Sequence, residues 1–169
     1  SFLRWKYLMM TTGIPCTPVR CMSLTTTSSS LPEQYTEFIP AVAIHPPRAD
    51  ALDELDRCLA VGSRVLKLLP NCQNINCSDP RFKPFWDRDA ENGMVLLSHT
   101  GGELTIPVIN AAYADPLTLK LPLECGVNVI AGRSCLNDPD YTDQLLKMFP
   151  LYPNLYGDNS ALNSPVRSR

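Results

Sequence analysis

The sequence predicts an α/β fold built on a parallel sheet, and three observations carry that expectation. Short apolar runs alternate with helical patterns at roughly 25 to 33 residues per unit, the spacing of strand–helix–strand connections. An Asp-Pro pair opens a helical stretch at Asp79-Pro80, Asp115-Pro116 and Asp138-Pro139, giving an N-cap acceptor followed by a proline that needs no amide hydrogen. The run Met94-Val95-Leu96-Leu97-Ser98 ends in His99-Thr100-Gly101-Gly102-Glu103, as a parallel strand covered on both faces ends in a site-forming loop.

Taken in order, residues 39–44 read as the first strand. Asp50 is placed to cap a helix through residue 61, with Leu52, Leu55 and Leu59 on one face and Asp53 paired to Arg57. Residues 65–69 form the second strand, and the helix after Asp79 buries Phe82, Phe85, Trp86 and Ala90. Residues 94–98 are the third strand. The helix after Asp115 carries Leu117 and Leu121 and is cut short by Pro122. Residues 127–131 are the fourth strand, the helix after Asp138 turns Leu145, Leu146 and Phe149 inward, and residues 155–157 form a short fifth strand. About five such units suit a sheet that is either open or closed into a barrel.

The chain divides into two parts. Residues 1–30 hold Arg4, Lys6 and Arg20 as their only charges and a hydroxyl run at Thr25-Thr26-Thr27-Ser28-Ser29-Ser30, as a leader or an arm laid on a partner would. Residues 31–169 form the domain, with periodic patterning from about Phe38. The 169 residues, 44% of them hydrophobic, suffice for one real core. Fifteen basic against 17 acidic residues give a net charge of -2, which offers no footprint for nucleic acid. No apolar run approaches the roughly 20 residues of a membrane span. The expected setting is intracellular, cytoplasmic or mitochondrial. Seven cysteines, an odd number scattered through regular patterns, read as reduced thiols. Cys16 with Cys21 and Cys72 with Cys77 could hold zinc only if the two pairs met in space.

If the strands are parallel, their carboxyl ends share one rim: His45, Lys67, His99 through Glu103, Gly132 with Arg133, and Asp158 with Asn159. Imidazoles and carboxylates are ligand types that zinc accepts, and bound zinc makes hydroxide available near neutral pH. His45-Pro46-Pro47 also suits the start of a stiff turn. Lys67, flanked by apolar pairs, could bind an anionic substrate, pair with Glu103, or keep its stem along the sheet with the ammonium reaching water.

Leu66-Lys67-Leu68-Leu69-Pro70-Asn71, Asp79-Pro80-Arg81-Phe82, Leu96-Leu97-Ser98-His99-Thr100-Gly101-Gly102-Glu103, Ala114-Asp115-Pro116 and Gly126-Val127-Asn128-Val129-Ile130-Ala131 together resemble an amidohydrolase-related family of metal-dependent hydrolases. The likeness covers about residues 39–165 and rests on the ordered set. It implies a partial TIM (β/α) barrel. Ligands in that family come from the first strand, from histidines after the fifth and sixth strands, and from an aspartate after the eighth. His99 then matches the fifth-strand metal ligand, for zinc or another divalent metal. Arg133 stands where the sixth-strand histidine is expected, and Asp158 falls on the seventh strand rather than the eighth.

Two functions follow. As a hydrolase, His99 would bind metal while Glu103 or Asp158 orients water or substrate, for attack on an amide, ester or related carbonyl, or for a non-oxidative decarboxylation. As a degenerate domain, Arg133 would pair with Glu103 or Asp158 in place of a metal, and a protein partner or second copy would cover the open barrel. A dinucleotide fold lacks its glycine fingerprint here.

Overall fold

The computed structural model describes residues 39, 41–103, 106–135, 138–158 and 160. Five strands form one sheet in the order β1 (Ala41–Val42), β2 (Val65–Leu68), β3 (Val95–His99), β4 (Asn128–Gly132) and β5 (Leu155–Gly157). Every neighbouring pair is parallel, with Leu66 opposite Leu96, Leu96 opposite Val129, and Val129 opposite Leu155. The connections carry α1 (Ala51–Ala60), α2 (Pro70–Gln73), α3 (Lys83–Glu91), α4 (Lys120–Glu124) and α5 (Pro139–Met148). The parallel strand–helix alternation is thus as the spacing predicts. No helix among the described residues is long and apolar enough to cross a membrane.

All three Asp-Pro caps form. Asp79 accepts from the Arg81 amide at 3.0 Å, Asp115 from that of Leu117 at 2.8 Å, and Asp138 from those of Asp140 and Tyr141. Asp50 does not cap α1: its carboxylate is drawn to Arg48, 2.6 Å away, and no side-chain cap bond forms. Within α1, Arg57 pairs with Glu54 rather than Asp53, and the buried face is Ala51, Leu55 and Cys58, with Leu52 exposed. The stretch after Asp115 begins as a 3-10 turn at Pro116–Leu119 before the short α4. That tighter winding buries Leu119 and Leu123 and leaves Leu117 exposed. On α5, Leu145 and Met148 are buried while Leu146 points to solvent. The first strand is trimmed to two residues.

The expected cover on both faces holds for most of β3, where Leu97 and His99 are buried on the inner side, but not for its neighbours. Residues sharing one face, Leu66, Leu68, Leu96, Val129 and Ala131, are wholly buried under the helices. Val65, Lys67, Val95, Asn128 and Ile130 share the opposite face and remain partly exposed. Strand side chains alternate between faces, so the helix layer accounts for only half of each strand. An apolar cavity of about 290 Å³ lies on this inner side, lined by Ile39, Arg64, Val65, Gly93, Val95, Leu97 and Ile130.

Candidate functional site

The strands place the rim residues by pleat and register. Lys67, Leu97 and Ile130 are paired neighbours on the inner face, and His99 with Gly132 lies one inward position further along. Ser98, one residue from His99, therefore points the other way, is fully buried, and belongs to the helix layer rather than the site. His45 is tied elsewhere: its Nε2–H donates to the carbonyl of Gln73 at 3.0 Å.

His99, Glu103 and Arg133 meet. One oxygen, Oε2, of the Glu103 carboxylate lies 3.2 Å from Arg133 Nη1 and 3.6 Å from His99 Nε2. Only 4% of the Glu103 side chain and 5% of His99 is exposed, against 22% of Arg133, so the cluster faces outward through the guanidinium. The Asp158 carboxylate lies beside Gly132, 3.7 Å from where a β-carbon there would sit. Burial pulls the Lys67 ammonium down to about 8, with Arg133 adding to the depression while Asp158 and Glu103 oppose it. Lys67, Glu103, Arg133 and Asp158 thus share one electrostatic neighbourhood. Asn159 lies outside the described residues.

The loops behind the cluster interlock. Arg133, Ser134 and Cys135 all have positive φ, at 65°, 44° and 59°, three successive left-handed residues with no glycine among them. Thr100 pins this turn by donating from its hydroxyl to the Gly132 carbonyl at 2.9 Å, and the Ser134 hydroxyl donates to that of Asp158 at 2.7 Å. Gly101 sits against the turn at φ 78°, where an added β-carbon would come within 2.9 Å of Cys135 Cα. Nothing in the residue types Arg-Ser-Cys announces such a turn, so Ser134 and Cys135 escape a sequence reading. Asn71 escapes as well: it is buried just past β2 with its Oδ1 unbonded among the described residues.

Two ligands about 2.0 to 2.2 Å from one tetrahedral zinc stand roughly 3.4 Å apart, so the 3.6 Å between His99 Nε2 and Glu103 Oε2 is itself a compatible spacing. The third position is not compatible. Arg133 sets a permanent cation against the oxygen that a metal would use, and guanidinium has no lone pair to offer. Among the described residues no group of three or more His, Cys, Asp or Glu is gathered as a metal site. The cysteine alternative is also weak: Cys77 lies in the core, where burial pushes its thiol up to about 12, and Cys16 and Cys21 fall outside the described residues.

Among solved structures, the chain is similar to an uncharacterized TIM-barrel protein from Bordetella bronchiseptica, with 21% identity and a TM-score of 0.65. The match covers 79% of this chain and 48% of that one, so the chain spans about half the length of its structural neighbour. No protein-family model and no curated protein matches it. With five parallel strands alternating with helices, the fold is a partial TIM barrel. Fold by itself assigns no chemistry.

Proposed function

We propose that this chain is an amidohydrolase-related, metal-dependent hydrolase domain whose catalytic site is degenerate. The observation that carries the reading is the Arg133–Glu103 contact at 3.2 Å, made at the strand end where the resemblance calls for a metal-binding histidine. In an active relative of this layout, His99 would hold the metal while Glu103 or Asp158 oriented water and Lys67 bound the substrate's charge. In this chain Glu103 is committed to a guanidinium. The positive charge there opposes a second cation.

Metal analysis after dialysis against zinc-containing and then zinc-free buffer tests this. The unaltered chain is expected to retain far less than one equivalent, and Arg133→His to gain affinity as a third ligand joins His99 and Glu103. Retention of a full equivalent by the unaltered chain, lost on His99→Ala, would overturn the proposal.

The half-exposed inner face favours a second reading, a non-catalytic subunit whose sheet is completed by a protein partner or a second copy. Ile39 and Tyr156, at opposite edges of the sheet, are 49% and 52% exposed, and edge strands carry unpaired backbone groups. A chain running as a monomer by light scattering, with β1 and β5 amides unprotected in hydrogen exchange, would count against this reading. Protection of both edges in a larger species would support it.

A further inference from the structure

We infer that Lys67 and Arg133 together form a binding site for the carboxylate of a small organic acid at the carboxyl-end rim. The inference rests on the reading above, that Arg133 stands in place of a metal ligand at a site still facing a ligand. Three observations carry it.

The first is an unsatisfied donor. Lys67 lies on the inner face, partly buried, and makes no hydrogen bond or ion pair among the described residues. An ammonium partly withdrawn from water without a protein partner is available to an anion, which would offset the lost hydration. The second is a guanidinium with donors to spare: Arg133 commits Nη1 to Glu103 and makes no other hydrogen bond among the described residues. Its fork can take a further carboxylate side-on. The third is the turn holding Arg133, whose three left-handed residues are fixed by Thr100 and Ser134. Strain of this kind persists where the surroundings enforce it, and it clusters at ligand sites.

Charge selects the ligand class. Glu103 and Asp158 stand in the same neighbourhood, and both act on the Lys67 ammonium. Two cations already face two carboxylates there, so a monoanion meets less repulsion than a phosphate dianion. Leu97, Ile130 and Tyr156 lie level with Lys67 across the sheet, so an apolar body beside the carboxylate is accommodated.

Isothermal titration of the full chain with benzoate, and separately with inorganic phosphate, is the test. Benzoate is expected to bind at pH 6.5 and to weaken as the pH rises through about 8, where the Lys67 ammonium loses its proton. Lys67→Met keeps the stem and removes the charge, and it should raise the dissociation constant about tenfold or more, as loss of a charged hydrogen bond does. Arg133→Lys, which keeps the charge and loses the fork, should fall between. No benzoate binding, benzoate binding unchanged in Lys67→Met, or phosphate binding more tightly than benzoate would each overturn the inference. Zinc retention is read separately, so a chain that takes neither zinc nor benzoate overturns this inference and leaves the degenerate-hydrolase reading standing.

Discussion

Stability of the chain is expected to fall as the pH rises from about 5 to about 8, and Asp89→Asn is expected to remove most of that fall. Asp89 lies near the end of α3, fully buried, with neither carboxylate oxygen hydrogen-bonded among the described residues. Burial alone raises its carboxyl from 3.8 to about 7. The folded chain therefore keeps the Asp89 proton through a range in which the unfolded chain has lost it. Stability from this group is highest below about 4, declines as the pH climbs toward 7, and levels off above. A difference of 7 − 3.8, about 3 pH units, corresponds to about 4 kcal/mol at most. Urea denaturation from pH 5 to pH 8 measures it. A flat profile for the unaltered chain, or an Asp89→Asn variant with the same slope, would contradict the assignment. Paired carboxylates such as Asp79, held at about 2 chiefly by its hydrogen bond from Arg81, act in the opposite sense only below about pH 4.

Trp86→Ala is expected to be the most damaging single truncation, costing about 3 to 5 kcal/mol, as large-to-small changes of an aromatic core residue do. Trp86 is wholly buried, meets Phe85 edge-on at 5.1 Å between ring centroids, and donates from Nε1 to the Cys77 carbonyl at 2.9 Å. Truncation empties space in the core and strands that carbonyl. Trp86→Phe should lose the hydrogen bond and less of the packing, so it falls between. Equal midpoints in urea for Trp86→Ala and the unaltered chain would contradict this account of the core.

Much of the fold is legible because its signals are local. The apolar runs around Leu66, Leu96 and Val129 mark central strands, and the three Asp-Pro pairs announce caps whose bonds all form. What fails is decided by competition between neighbours. Asp50 has two suitors, the helix amides and Arg48, and the bidentate guanidinium wins. Glu54 wins Arg57 from Asp53 in the same way. A continuous apolar strand reads as covered on both faces, yet Val65, Val95 and Ile130 on the inner face stay partly exposed among the described residues. At the site, strand period carries His99 to the rim and Ser98 away from it. The pairing of Arg133 with Glu103 was open to a charge argument. The left-handed turn that aims it was not, because Arg133, Ser134 and Cys135 adopt a conformation their side chains disfavour.

The central claim is that a guanidinium occupies the place of a metal at the rim. A crystal structure of the unaltered chain grown with excess zinc, with anomalous diffraction recorded across the zinc edge, tests it most directly. The account predicts no anomalous peak between His99 and Glu103, and Arg133 Nη1 within hydrogen-bond distance of the Glu103 carboxylate. A zinc peak bonded to His99 Nε2 and Glu103, with Arg133 swung away, would contradict it.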